Sequence, residues 1–184
     1  VFRPSARQKA LAYDMALIVG GSLFIALCAQ FGVQIGLVPI TGQTLGVLLT
    51  GALLGSRRGS LSLIAYLPEG LAGLPVFAPG GAVGLARLTG PTGGYLIGFV
   101  AAAYVTGWLA EQGWDRKMET TFLAMIVGNI VIYACGLCWL SGLVGLKNAL
   151  QMGLYPFLIG DLLKATLAMM MLPTGWKVLR QIKS

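Results

Sequence analysis

The sequence predicts an all-α integral membrane protein, and three observations carry that reading. Of its 184 residues, 57% are hydrophobic. Only 10% are charged, against about 25% in a soluble domain. The mean hydropathy is +0.81. A chain of this composition cannot cover itself with a water-facing surface. At roughly 20 residues per crossing plus short connections, its length accommodates six transmembrane helices in a single membrane domain, residues 1–184. Short tails are expected at about 1–9 and 174–184, with no separate soluble domain. The first apolar run is long enough to span and more runs follow it, so it reads as a helix and not as a removable signal.

The six spans follow in order. The first runs from about Ala10 to Phe31. The second, from Gln43 to Leu54, and the third, from Gly59 to Leu74, are short for a perpendicular crossing. They are expected to be re-entrant, tilted or extended by their loops. The fourth runs from Thr92 to Leu109, the fifth from Thr121 to Leu143, and the sixth from Leu154 to Leu172.

Charge placement tests this count. Arg3, Arg7 and Lys9 precede span one, and Arg57 and Arg58 join spans two and three. Arg116 and Lys117 join spans four and five, and Lys177, Arg180 and Lys183 follow span six. All ten fall on one side of a six-span topology, which orients both termini to the cytoplasm. A five- or seven-span topology scatters them across both faces. The net charge of +7 is thus explained by topology. Without an interleaved aromatic face, it does not point to nucleic acid.

There are no histidines. Imidazole acid–base catalysis, Ser–His and Cys–His nucleophiles and His-ligated metals are therefore excluded. Cys135 and Cys138 form a CxxC, but it lies in an apolar run without a second CxxC or a nearby base. They read as small buried packing residues.

Two connections on the non-cytoplasmic side are unusual. Gly32 to Thr44 reads GVQIGLVPITGQT, and Gly73 to Tyr95 reads GLPVFAPGGAVGLARLTGPTGGY. Neither can be regular helix throughout. Neither is polar enough for a solvated loop, since Leu74, Val76, Phe77, Val83, Leu85 and Leu88 need cover. Irregular apolar backbone is tolerated near a membrane where it packs on protein or lines a cavity. Both segments read as lids over a site open to the outside.

The residues for that site are few. Asp161 and Lys164 lie in span six, three apart and so on one helix face. Each costs roughly 2.5–3.5 kcal/mol to insert at depth, and an intramembrane charge is functional by default. Asp161 can accept hydrogen bonds from ligand N–H groups, and Lys164 can donate to a carbonyl or carboxylate. Arg87, alone in the third loop, can grip a carboxylate with two donors. Gly90-Pro91-Thr92-Gly93-Gly94-Tyr95 opens span four. Thr92 is the expected N-cap, with free N–H groups facing the loop. Gly93 would let a ligand approach the backbone, and Tyr95 would supply a wall and a hydroxyl. Thr41-Gly42-Gln43-Thr44 adds hydroxyls and an amide without charge, as a neutral polar ligand requires.

In span one, Ala12, Ala16 and Gly20 stand four apart. Such a stripe admits a close-packed helix, either another span of this chain or a separate subunit. Asp14 sits near the cytoplasmic end, where a basic residue can neutralise it. Tyr13-Asp14 and Gly160-Asp161 weakly resemble the paired aspartates of intramembrane aspartyl proteases. However, Leu158 stands where that pattern wants glycine, and the two aspartates belong at opposite ends of their spans.

Several stretches together resemble BioY, the biotin-specific S-component family of energy-coupling factor (ECF) vitamin transporters. They are Val38-Pro39-Ile40-Thr41-Gly42-Gln43-Thr44-Leu45-Gly46, Gly51 to Gly55, Gly73-Leu74-Pro75-Val76-Phe77-Ala78, Gly90 to Leu96, and Gly160-Asp161-Leu162-Leu163-Lys164. The resemblance covers about Leu11 to Pro173. It implies an S-component-like bundle with two ordered outer loops in the bacterial plasma membrane. It implies a subunit that captures biotin from outside and delivers it with a transmembrane coupling subunit and two ATPases. Biotin would be the transported ligand, with no cofactor, metal or catalytic residue. The resemblance assigns binding roles to Arg87, Tyr95, Asp161 and Lys164, and turns Ala12 and Ala16 toward the coupling subunit.

Biotin has a ureido head, an apolar thiophane ring and a carboxylate tail. Asp161 would suit the ureido N–H groups and Lys164 or Arg87 the carboxylate, and the reverse assignment stays chemically open. This chain departs from the family at Pro68-Glu69, where a kink and an exposed or paired Glu69 are expected. Ala78-Pro79-Gly80-Gly81 replaces a loop that carries a ligand-contacting asparagine in some members, so no role transfers there. The chain has no phosphate loop, so ATP coupling must come from partners. The alternatives are an S component for another vitamin and, in a different class, a membrane-embedded enzyme.

Overall fold

A computed structural model describes residues 7–33 and 36–183. Arg3 and the first part of the N-terminal tail lie outside the described residues. Seven α-helices are present among them: α1 (Arg7–Gln30), α2 (Gln43–Leu71), α3 (Leu85–Thr89), α4 (Gly93–Glu111), α5 (Met118–Val144), α6 (Leu146–Gly153) and α7 (Leu158–Lys183). A short antiparallel pair, β1 (Gly32–Val33) with β2 (Ile40–Thr41), closes the connection after α1. Four helices are long and apolar enough to cross a membrane: α1, α4, α5 and α7.

Helix α2 is two arms. Gly55 lies at φ 83°, ψ 173°, inside the continuous helical run. That is left-handed space, which glycine enters without a Cβ clash. The chain reverses there. The Gln43 amide Nε2 donates to the Tyr66 hydroxyl at 2.6 Å, whereas 23 residues of straight helix would hold them about 35 Å apart. Gly59 packs on Gly51, where a Cβ on Gly59 would come within 2.8 Å of the Gly51 Cα. The arms 43–54 and 56–71 thus run antiparallel. The sequence expects Arg57 and Arg58 in a joining loop, but they occupy the first turn of the second arm. Glu111 accepts from the Ser56 backbone N–H at 2.8 Å and replaces the loop as that arm's cap. Pro68 sits inside the second arm, which continues to Leu71. Glu69 is paired, accepting from the buried Ser22 hydroxyl of α1.

The sixth apolar run also differs from expectation. Leu154 lies in a break, with α6 before it and α7 starting at Leu158. Helix α7 carries Pro173 internally and continues to Lys183, so the expected C-terminal tail is helical. The far end is held by tertiary contact. The Trp176 indole N–H donates to the buried Asp115 carboxylate, and the Arg116 guanidinium stacks 3.7 Å from the Trp176 ring centre. These contacts offset the backbone hydrogen bond that proline removes.

The core lies around α4, whose glycines and alanines admit its neighbours closely. Gly51 meets the Ala103 backbone, and Gly98 meets Ile132 and Cys135. Tyr66, Leu63, Met125 and Ile132 are fully buried around it. Helix α1 is the reverse case. Leu11, Met15, Val19, Leu23 and Leu27 stand four apart and are all exposed. A continuous outward apolar stripe of this kind suits lipid and not water.

Candidate functional site

The charged pair is built by three elements meeting at one end of the bundle. Asp161 lies in the first turn of α7, and Lys164 is one turn further on. Lys164 Nζ donates to Asp161 Oδ1 at 2.9 Å and to Thr44 Oγ1, in the first turn of α2, also at 2.9 Å. The Thr44 hydroxyl donates to Asp161 Oδ1 at 3.0 Å. The Tyr133 hydroxyl, from the middle of α5, donates to Asp161 Oδ2. Asp161 is 4% exposed. A carboxylate this buried survives because its partners replace the water it loses.

Arg87 approaches the same space from α3. It is 4% exposed and donates to the Ala78 carbonyl at 3.0 Å. It makes no salt bridge among the described residues. Burial lowers its pKa from the ordinary value, partly offset by Tyr66. Gly81 lies directly against the guanidinium, where any Cβ would collide with it. The glycines of this segment are thus partly explained by the passage of Arg87 beneath the backbone.

Asp161, Lys164, Thr44, Arg87, Gln43 and Tyr95 line one cavity. Its apolar wall comes from Val38, Leu96, Phe99, Ile132 and Phe157. The enclosed space is about 40 Å³, and the wider recess is about 510 Å³ including its open part. The enclosed space holds only a few waters, so a larger guest must displace side chains.

Both irregular segments border the cavity, through Val38, Pro39 and Thr41 from one and Arg87 and Thr92 from the other. A relay holds the second segment down: Gln43 donates to the Tyr66 hydroxyl at 2.6 Å, which donates to the Val76 carbonyl at 2.8 Å. Phe77 is buried against Tyr66, ring centres 5.3 Å apart and nearly perpendicular. Gln30 at the end of α1 adds donations to the carbonyls of Pro75 and Phe77. Of the apolar residues needing cover, Val76 and Phe77 are buried, whereas Leu74, Val83 and Leu85 are exposed.

Sequence comparison assigns this architecture. Residues 5–181 match the model of the BioY family. The chain belongs to the BioY family. Among its relatives, the probable biotin transporter BioY of Pyrococcus horikoshii is 39% identical over 150 residues, covering 80% of this chain and 88% of that one. The biotin transporter BioY of Thermotoga maritima is 37% identical over 84% of this chain and 92% of that one. The crystal structure of the S-component for biotin from an ECF-type ABC transporter superposes with a TM-score of 0.74 at 27% identity, covering 95% of each chain.

Within this BioY-family fold, the remaining residues singled out in the sequence fall into different environments. The Tyr95 ring lines the cavity, but its hydroxyl donates to the Gly153 carbonyl at 2.9 Å and ties α4 to α6. The Gly93 N–H donates to the Gly90 carbonyl at 3.1 Å. Gly93 is needed for packing, since a Cβ would strike the Leu88 carbonyl. Thr92 is not the expected side-chain cap. It sits in right-handed helical space and its hydroxyl donates to the Arg87 carbonyl at 3.1 Å. Ala12, Ala16 and Gly20 are exposed on α1. Asp14 pairs with Arg58 at 2.6 Å, far from the partners of Asp161, so the two aspartates do not share a proton. Tyr66, Tyr133 and the Asp161 contact of Thr44 are additions from the structure. Tyr133 carried one signal, the lone phenol in a largely apolar run.

Proposed function

We propose that this chain is a biotin-capturing S component that takes biotin from outside the cell and delivers it inward with an energy-coupling module. The observation that carries the reading is the shared cavity. It places a carboxylate with an ammonium partner and, separately, a buried guanidinium with no carboxylate partner among the described residues. A neutral head with N–H donors joined to an anionic tail complements both. Asp161 serves the ureido N–H groups. Arg87 grips the carboxylate, because a guanidinium offers paired donors in a fixed plane. Lys164 pairs with Asp161 until the ligand arrives. Gln43 positions the lid through Tyr66, Tyr95 forms a wall, and Gly93 lets the lid and α4 meet.

The chain crosses the bacterial plasma membrane six times as one domain, the two arms of α2 supplying the second and third crossings. The basic residues at the Gly55 end support a topology with both termini in the cytoplasm. The two irregular outer segments cover the site. Ala12 and Ala16 face the transmembrane coupling subunit, which works with two ATPase subunits. The protein needs no cofactor and binds no nucleic acid.

Mass spectrometry of the small molecules retained by protein purified from biotin-containing medium tests the reading. Biotin is expected at close to one per chain. A different vitamin would overturn the biotin assignment, and turnover of a substrate would overturn the transporter assignment.

A further inference from the structure

A second, larger space adjoins the Asp161 cavity. It is a crevice of about 530 Å³ between α5 and α7, beside an enclosed cavity of about 40 Å³. Sites for small molecules run to roughly 300–1,000 Å³, so the first space alone is too small and the second is not. The two share two wall residues, Tyr133 and Asp161. The hydrogen bond from the Tyr133 hydroxyl to Asp161 Oδ2 is therefore the partition between them.

Apart from Tyr133 and Asp161, the crevice wall is apolar, formed by residues such as Ile126, Leu137 and Leu158, with one further polar residue. Asn129 lies one helical turn before Tyr133 and on the same face of α5. It is 6% exposed, and its Oδ1 meets no donor among the described residues. Buried carbonyl groups without partners are rare in proteins, and rarer at the middle of an apolar span, where water is scarce. Asp161, by contrast, is nearly filled. A carboxylate has about four acceptor positions, and Thr44, Lys164 and Tyr133 take three of them. The remaining position is on Oδ2, beside the Tyr133 hydroxyl, and of the three groups Tyr133 is the one whose departure opens space, because it stands between the two cavities.

We propose that Asn129 is a second recognition residue for the ureido head, reached when Tyr133 swings off Asp161 and joins the two spaces. This rests on the reading of the chain as a biotin-binding subunit. The ring system then occupies the crevice. One ureido N–H donates to the freed Asp161 Oδ2 and the other to Asn129 Oδ1. Tyr133 gates the joined site.

Biotin methylated at one or the other ureido nitrogen tests this, titrated calorimetrically with biotin itself against wild-type protein, Asn129→Leu and Asn129→Ala. Wild type is expected to bind biotin and to lose roughly tenfold or more for each methylated isomer, the scale of an unmet buried hydrogen bond. In both variants biotin weakens by a similar factor. One isomer then binds no worse than biotin, while the other keeps its penalty. Equal weakening of all three ligands would mean that Asn129 only supports packing, and would overturn the proposal. Unchanged affinities would do so as well, and would leave the crevice to lipid. Failure of wild-type protein to bind biotin at all would instead overturn the functional reading beneath it.

Discussion

The two ends of the bundle spend their polar groups differently. At the Gly55 end each described contact closes locally. Arg58 meets Asp14, Glu111 caps Ser56, and Asp115 binds Trp176 while Arg116 stacks on it. Helix follows helix there with hardly any loop. At the Asp161 end the helices are separated by irregular segments, and the buried polar groups converge on a cavity. Arg87 is buried without an ion-pair partner among the described residues. Asp161 and Lys164 are paired, yet both face the same open space. A structural network would bring Arg87 and Asp161 together. Here they stand apart on the wall of one cavity. The contrast separates polar groups that fasten the fold from polar groups that, under the proposed function, receive the ligand.

The largest effects are expected from breaking the Asp161 end. Asp161→Asn and Lys164→Ala should each weaken biotin binding by roughly 1–3 kcal/mol, about five- to 150-fold, because each strands a buried polar partner. Titration calorimetry on the purified variants reads this directly. Next is the outward stripe of α1. Ala16→Trp should abolish biotin uptake by cells carrying the complete transporter while leaving affinity within about twofold, since bulk blocks close helix approach without touching the cavity. If binding fails as badly as uptake, the substitution acts on the binding site and the stripe is not a partner surface.

A smaller effect is expected from the relay under the lid. Tyr66→Phe removes the donor to Val76 and the acceptor for Gln43, at a cost of about 1 kcal/mol. Biotin release measured by stopped flow should accelerate by about fivefold, with association little changed. The smallest effect belongs to the Gly55 end. Arg58→Ala breaks a partly exposed pair worth about 0.2–1 kcal/mol. It should lower the thermal midpoint slightly and leave biotin affinity unaltered.

Much of this contrast was legible in the sequence, for a physical reason. Charge inside an apolar run is costly, so Asp161 and Lys164 stand out wherever they occur. Arg87 stands out likewise among glycines. Tyr66 and Tyr133 do not, because a phenol has an apolar body and reads as core until its hydroxyl is seen to find a partner. Asn129 stands out as the one amide in its run, but a sequence does not show whether its carbonyl finds a donor. The reversal at Gly55 was half visible: two short spans with arginines between them imply a turn. The absence of any loop depended on Glu111, more than 50 residues away. Thr92 has the chemistry of a cap but lies in helical space, where its hydroxyl turns to Arg87. Span six was expected to stop at Leu172, and the helix runs on to Lys183 because the Trp176 contact with Asp115 is tertiary. The strand pair at Gly32 and Thr41 is too short for any pattern to announce.

The most direct test of the account is a side-by-side biotin titration of wild-type protein, Asp161→Asn and Arg58→Ala, each checked for intact fold by thermal unfolding. The account predicts affinity reduced by about tenfold or more in Asp161→Asn and wild-type affinity in Arg58→Ala. Equal affinity in all three would contradict it, by making the buried carboxylate one more fastening of the fold.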